Sequence, residues 1–202
     1  MRRTITPRFI QYSLERVLER RPKLVGFTCS FDQTMASLAL ASRIRDVAPE
    51  IPIVFGGYAL EGQPGQTVAR AFRCVDLIVA GDGEEIIVDL ARDIIAARGI
   101  KGRDGSKIIK ASPVRLEKSP VPDFDDWFDA VERLSAESKI QINTKTLPVE
   151  GSRGCWWGQR QHCVFCGIDE ETLKYRHKEA GTVFAMLVGL RERYGDYPKS
   201  GS

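Results

Sequence analysis

Val75-Asp-Leu-Ile-Val-Ala-Gly-Asp-Gly-Glu-Glu85 is the stretch whose reading decides the fold. Its apolar run, Val75 to Ala80, stops at Gly81-Asp82-Gly83, and Glu84-Glu85 then open a helical pattern with Ile86, Ile87, Leu90, Ile94 and Ile95 turned inward. Acids in a first helical turn complement the positive end of the helix dipole. A continuous apolar run that ends in glycine and passes into an amphipathic helix describes a parallel strand covered on both faces.

The same unit recurs upstream. Ile51 to Phe55 is a second apolar strand, set off by Pro49 and Pro52 and ending in Gly56-Gly57, with a short helix around Thr67 to Phe72 beyond it. Lys23 to Thr28 is the first strand. Cys29-Ser30-Phe31-Asp32 follows it, with Ser30 or Asp32 placed to cap a helix that begins near Gln33 and buries Ala36, Leu40, Ile44 and Val47. Before that strand, Ile10, Leu14, Val17 and Leu18 make one helical stripe between Phe9 and Arg20, which Pro22 ends. Lys107-Ile-Ile-Lys110 adds a short edge strand after the turn region Gly99–Gly105. The alternation predicts an α/β fold over residues 1–110, a Rossmann-like, doubly wound parallel sheet. In residues 111–138, Pro113, Pro120 and Pro122 exclude a regular helix through the segment, so it reads as an ordered linker with aromatics that pin it to a domain surface, and a short helix from Asp129 to Ser138. Residues 139–202 read as an extended stretch from Lys139 to Glu150, a cysteine loop, and a helix capped by Thr182 with Val183, Met186, Leu187, Leu190 and Tyr194 on one face.

Composition narrows the class. The chain has 202 residues, of which 43% are hydrophobic and 28% charged, as in a water-soluble globular protein, and no apolar run approaches the roughly 20 residues that span a bilayer. Met1-Arg-Arg-Thr-Ile-Thr-Pro7 lacks the apolar core of a signal peptide, which predicts a cytoplasmic location and reduced thiols. The net charge of +3 comes from scattered lysines and arginines, so neither a nucleic acid nor a membrane is indicated as a partner.

Two regions carry candidate chemistry. Thr28-Cys29-Ser30, Gly56-Gly57 and Gly81-Asp82-Gly83 follow the three strands, and open α/β sheets bind ligands outside such carboxyl ends. The same glycines also suit plain tight turns, and Gly81-Asp-Gly83 lacks the third glycine of a nucleotide fingerprint. The second region is Cys155-Trp-Trp-Gly-Gln-Arg-Gln-His-Cys163-Val-Phe-Cys166-Gly167, which gathers three of the five cysteines. Three readings are open there. A zinc site would add His162 or His177 to the three thiolates. An iron–sulfur cluster would use the thiolates alone and leave one iron open. Structural thiols need no metal. Trp156, Trp157 and Phe165 either wall a cluster from water or belong to a core.

Leu147-Pro-Val-Glu-Gly-Ser-Arg-Gly-Cys-Trp-Trp-Gly158, His162-Cys-Val-Phe-Cys-Gly167 and Tyr175-Arg176 resemble radical SAM enzymes, specifically the cobalamin-dependent ones that mature ribosomally made peptides and include C-methyltransferases. The C-x7-C-x2-C spacing is that family's. Val25 to Phe31 with Gln33, Val54-Phe-Gly-Gly57, Val75 to Glu85 and Pro120 to Asp126 resemble its cobalamin-binding domain and following linker. The resemblance implies that Cys155, Cys163 and Cys166 ligate a [4Fe-4S] cluster whose fourth iron holds S-adenosylmethionine, with Phe165 as the aromatic between the last two ligands. A 5′-deoxyadenosyl radical would abstract hydrogen from the substrate, and methylcobalamin would supply the methyl group. Ser30, Gly56, Gly57, Gly81 and Gly83 are the implied corrin-lining residues, and the missing D-x-H-x-x-G implies cobalt without a protein histidine. The implied partners are a ribosomally made precursor peptide and an electron donor such as flavodoxin or ferredoxin. The resemblance further implies that residues 139–202 are the first βα unit of a partial TIM-type barrel, that the sheet lacks its first strand, and that the chain is a truncated portion of a longer enzyme, inactive by itself. Competing functions are a zinc- or cluster-stabilised binding module and a radical enzyme whose cobalamin does other chemistry.

Overall fold

A computed structural model describes residues 2–30, 32–96, 107–138, 146–168, 170 and 172–195. The expected turn at Gly99–Gly105 and most of the extended stretch from Lys139 lie outside the described residues. The chain divides into two compact units, residues 1–114 with 160–173, and residues 115–159 with 174–202.

In the first unit the elements run α1 (Arg2–Glu19), β1 (Val25–Thr28), α2 (Thr34–Val47), β2 (Ile53–Gly56), α3 (Gly62–Ala71), β3 (Leu77–Ala80), α4 (Ile87–Ala96) and β4 (Ile108–Lys110). The four strands form one sheet in the order β1-β2-β3-β4, every neighbour parallel. Side chains alternate across a strand. Ile53, Phe55 and Ile78 therefore join Leu14, Leu38, Ala41, Ile44 and Ala69 in a core on one face, and Val54, Leu77 and Val79 join Ile94 on the other. The doubly covered parallel sheet expected from the apolar runs is present. Phe27 stacks on Phe55 at 4.9 Å between ring centroids and ties the edge strand to its neighbour. No helix among the described residues is long and apolar enough to cross a membrane.

Several helix details differ from the periodicity. Helix α1 begins at Arg2 and carries Pro7 in its interior. Helix α2 buries Leu38, Ala41 and Ile44 rather than Ala36 and Val47, and Val47 is exposed. Neither Ser30 nor Asp32 caps it: the N-cap is Gln33, whose side-chain carbonyl accepts the Ser30 N–H at 3.0 Å, so the expected capping relation runs in reverse. Glu84 and Glu85 sit in a single 3-10 turn, and α4 starts at Ile87, itself exposed as is Ile95.

The second unit holds α5 (Asp125–Ser138), β5 (Ser152–Arg153), β6 (Arg176–His177) and α6 (Ala180–Tyr194). Strands β5 and β6 pair antiparallel. Helix α5 starts four residues earlier than expected, directly after the prolines. Asp123 accepts the Asp125 N–H at 2.9 Å and so closes its first turn, while Phe128 lies 5.0 Å from the Tyr194 ring and the Tyr194 hydroxyl accepts the Phe124 N–H at 2.9 Å. Phe124 and Phe128 are thus pinned, as expected, and the surface they meet is α6, while Trp127 is exposed. Helix α6 has Glu179, not Thr182, at its N-cap and buries Met186 and Leu190, with Leu187 exposed.

The Asp125 amide and, after it, the Arg193 guanidinium hold the Asp123 carboxyl below its ordinary pKa. A carboxyl lowered in the folded state stabilises above its unfolded pKa and loses that contribution as the pH falls through the folded value. Thermal melts from about pH 5 down to pH 2 are expected to show a stability loss that is smaller in Asp123→Asn than in the parent chain; parallel curves would assign the acid sensitivity elsewhere.

Candidate functional site

The carboxyl ends of the strands come out at one edge. Parallel register sets Thr28 beside Gly56, Gly56 beside Val79, and Ala80 beside Lys110, so the chain leaves all four strands at one level. Hydrogen bonds continue the sheet one residue beyond it: the Cys29 N–H donates to Gly56 O at 2.8 Å and the Ala111 N–H to Ala80 O at 2.7 Å. Asp82 then accepts the Val114 N–H at 2.8 Å, which fastens the chain after β4 over the loop after β3.

The strand-end glycines fall into two classes. Gly57 and Gly81 both adopt φ of +99°, and a Cβ at either would collide with backbone, that of Cys29 or that of Ala111. Their glycine character follows from the turns of the sheet itself. Gly56 and Gly83 are different. A Cβ at Gly56 would stand 3.5 Å from the Val79 carbonyl oxygen, and one at Gly83 would stand 3.6 Å from a Val79 methyl, both ordinary contacts. All four are half-buried, so the edge they form reaches the surface as bare backbone. Ser30 is half-buried beside them, and its Oγ has no partner among the described residues, whereas its N–H and carbonyl are engaged by Gln33 and Thr34. Cys29, fully enclosed, is a structural thiol: burial pushes its pKa up against weaker opposing hydrogen bonds with Ser37 and Thr34. The edge thus combines half-buried glycine backbone with the hydroxyls of Thr28 and Ser30, which have no partner among the described residues, and leaves room for a ligand to approach the backbone at Gly56 and Gly83.

The cysteine loop is built from two tight turns. Gly154 at φ +84° redirects the chain after β5, the Gly158 N–H donates to Cys155 Sγ at 3.2 Å, and the Gln159 N–H donates to Cys155 O at 3.0 Å. Cys163 and Cys166 are joined by an N–H to carbonyl bond of 3.0 Å from Cys166 to Cys163. All three thiols are free and half-buried. Cys155 belongs to the second unit, while Cys163 and Cys166 belong to the first. Among the described residues no three His, Cys, Asp or Glu side chains form a group able to hold a metal. His162 is exposed. Trp156, Trp157 and Phe165 are 51%, 52% and 89% exposed, so they are not core.

Within the first unit the segment carrying Cys163 and Cys166 is anchored by residues that the sequence did not single out. The Thr172 hydroxyl donates to the Glu61 carboxylate, and Leu173 is buried. Glu61 is the N-cap of α3, on the loop that follows β2. That contact joins positions 111 residues apart, a separation at which no local pattern gives a signal.

Comparison with known proteins bears on the sheet. Residues 4–91 match the B12 binding domain. The B12 region thus contains α1 through β3, the 3-10 turn after Gly83 and the first turn of α4, with all five proposed corrin-lining residues. The chain is also 24% identical over 186 residues to an uncharacterized methyltransferase of Pyrococcus horikoshii, an alignment that covers 86% of this chain and 38% of that protein. The chain therefore spans under two fifths of the relative's length. No solved structure matches it.

The two glycine classes separate experimentally. Gly57→Ala and Gly81→Ala are each expected to lower stability by more than about 1 kcal/mol in urea denaturation, because alanine there is strained and meets backbone. Gly56→Ala is expected to stay within about 0.5 kcal/mol of the parent chain, and a loss equal to that of Gly57→Ala would show that the edge has no room at this position.

Proposed function

We propose that this chain is the cobalamin-binding and cluster-bearing part of a cobalamin-dependent radical SAM enzyme that transfers a methyl group to an unactivated carbon of a ribosomally made peptide. The observation that carries the cobalamin half is the B12 binding domain match over residues 4–91, which falls on a parallel sheet whose strand ends carry glycine backbone. Methyl transfer draws support from the methyltransferase relative. The radical half rests on the C-x7-C-x2-C spacing of Cys155, Cys163 and Cys166.

In this reading Gly56 and Gly83 would let the corrin approach the backbone, and Ser30 Oγ would be available to donate a hydrogen bond to it. Gly57 and Gly81 keep the two turns low enough for that approach. When bound, cobalamin supplies a transferable methyl group, and a [4Fe-4S] cluster with S-adenosylmethionine supplies the radical that opens the substrate C–H bond. Cys155, Cys163 and Cys166 are the proposed cluster ligands, and the Gly158 N–H already directed at Cys155 Sγ is the type of hydrogen bond that tunes a cluster's potential. Exposed Phe165 and the two tryptophans would exclude water once covered. The precursor peptide, and a flavodoxin- or ferredoxin-type electron donor, complete the proposal.

Two measurements test its halves separately. Hydroxocobalamin mixed with the chain is expected to co-elute on gel filtration, and substitution of Gly83 by Trp at the edge to weaken retention at least about tenfold; a chain that retains no corrin removes the cobalamin half. After anaerobic reconstitution with iron and sulfide, about four irons per chain are expected, falling in a Cys163→Ala, Cys166→Ala double variant. Zinc alone in the metal analysis would replace the cluster with a structural metal site.

A further inference from the structure

We propose that Lys178 anchors an oxyanion-binding site in the second unit, one that takes a carboxylate or phosphate group of a small ligand. Lys178 directly follows β6, and its N–H donates to the Gly151 carbonyl at 2.9 Å, extending the β5–β6 ribbon by one position. Opposed residues of an antiparallel pair share a face, as do residues two apart on one strand. Arg153, Arg176 and Lys178 therefore lie on one face of the ribbon, and Ser152 and His177 lie on the other. Burial agrees: Ser152 and His177 are exposed, Arg153 and Arg176 half-buried, and Lys178 only 5% exposed. Lysine is among the residues least often enclosed to this degree unless paired.

Charge is the second part of the case. Arg153 is matched by Glu150 in a bidentate pair with contacts of 2.7 and 3.0 Å. Lys178 has no such match. Its ammonium makes no hydrogen bond or ion pair with any described residue, and Lys178 is the only buried charged residue among them. The stem of Lys178 is packed away while its ammonium has no counter-charge among the described residues, and an anion would supply one. The site is also open to one: among the described residues the fully sealed side-chain nitrogen and oxygen atoms without partners are Arg45 Nε and Ser119 Oγ, so Lys178 Nζ keeps access to solvent.

The local backbone adds a third, independent source of positive potential. Helix α6 begins two residues after Lys178 and runs for 15 residues; its N-cap is the exposed Glu179, whose side chain makes no capping hydrogen bond, and its first turn holds no acid. Its first amides and its dipole therefore favour an anion on the same short stretch of chain. A compact ammonium acts on an oxyanion as a point charge with rotatable donors, which suits a monodentate carboxylate or a phosphate equally. The amino-acid carboxylate of S-adenosylmethionine is one source under the radical reading, but the site itself depends on neither the corrin nor the cluster.

The test labels the lysines of the full chain with an acetylating reagent and follows each by peptide mass spectrometry. The labelling is run in inorganic phosphate, methionine, methioninol or chloride at equal ionic strength. Acetylation of Lys178 is expected to slow roughly tenfold at a ligand concentration ten times its Kd, in phosphate, in methionine or in both, with the other lysines unchanged. Protection by methionine and not by methioninol assigns a carboxylate; protection by phosphate alone assigns a phosphate group. Equal labelling in all four solutions, or the same protection by chloride, overturns the proposal. Lys178→Met is expected to abolish the binding of the protecting anion in calorimetry and Lys178→Arg to retain part of it. Should Lys178→Met fail to fold, the labelling of the parent chain still decides, and unchanged anion affinity in a folded Lys178→Met would also overturn the assignment. Loss of cobalamin binding would leave these outcomes untouched, so the two readings fail separately.

Discussion

Parallel strands stand about 4.8 Å apart, and this spacing governs the loops that leave them. Because β1 through β4 end at one level, each outgoing chain passes against its neighbour's backbone. Gly57 meets Cys29 and Gly81 meets Ala111 at distances that leave no room for a Cβ. Gly65 repeats the constraint at the far end of the Gly57 loop, where the first turn of α3 presses on the Leu60 carbonyl. The opposite end of the sheet is fixed by charge. Asp76 accepts the Ile53 N–H at 2.8 Å and pairs with Arg45, whose other terminal nitrogen donates to the Pro49 carbonyl, so one carboxylate and one guanidinium hold the start of β2, the start of β3 and the end of α2 together.

The consequence is a stiff platform with chemistry only at its rim. Elements buried on both faces have no freedom to bind, and ligand contacts fall to the loops they position. The loop after β2 shows how the platform is used. Tight packing at Gly57 and Gly65 fixes Glu61, and Glu61 fixes Thr172 and with it the segment that carries Cys163 and Cys166. A segment distant in sequence is thereby part of the same compact unit as the B12 region.

The second unit is organised by a different device. Its helices α5 and α6 are joined through Tyr194, which packs on Phe124 and Phe128 and hydrogen-bonds to the Phe124 N–H and the Asp125 carboxylate, with Arg193 bridging Asp123 and Asp125. Ion pairs at such exposure contribute little each. The aromatic contacts and the satisfied amide at the start of α5 account for more of the joint. The short β5–β6 ribbon lies in this unit, with its three cations on one face and Cys155 at its exit.

Local chemistry was enough to determine a good deal. Continuous aliphatic runs ending in glycine marked β2 and β3 and their parallel sense, since a strand buried on both faces needs such a run; the order β1-β2-β3-β4 came from the tertiary structure. The expected edge strand at Lys107–Lys110 is present as β4. Cysteine spacing marked the thiols without tertiary information. Helix boundaries and faces were less legible: Val47 and Ile87 fit the periodicity yet are exposed, because which aliphatic is covered depends on what the sheet presents. The strand-end glycines looked alike in sequence, and tertiary contact alone separated Gly57 and Gly81, held by backbone crowding, from Gly56 and Gly83, which have room. Glu61 with Thr172, and the enclosure of Lys178, were likewise decided only in three dimensions, because burial and long-range pairing are properties of packed neighbours and leave no period in the chain.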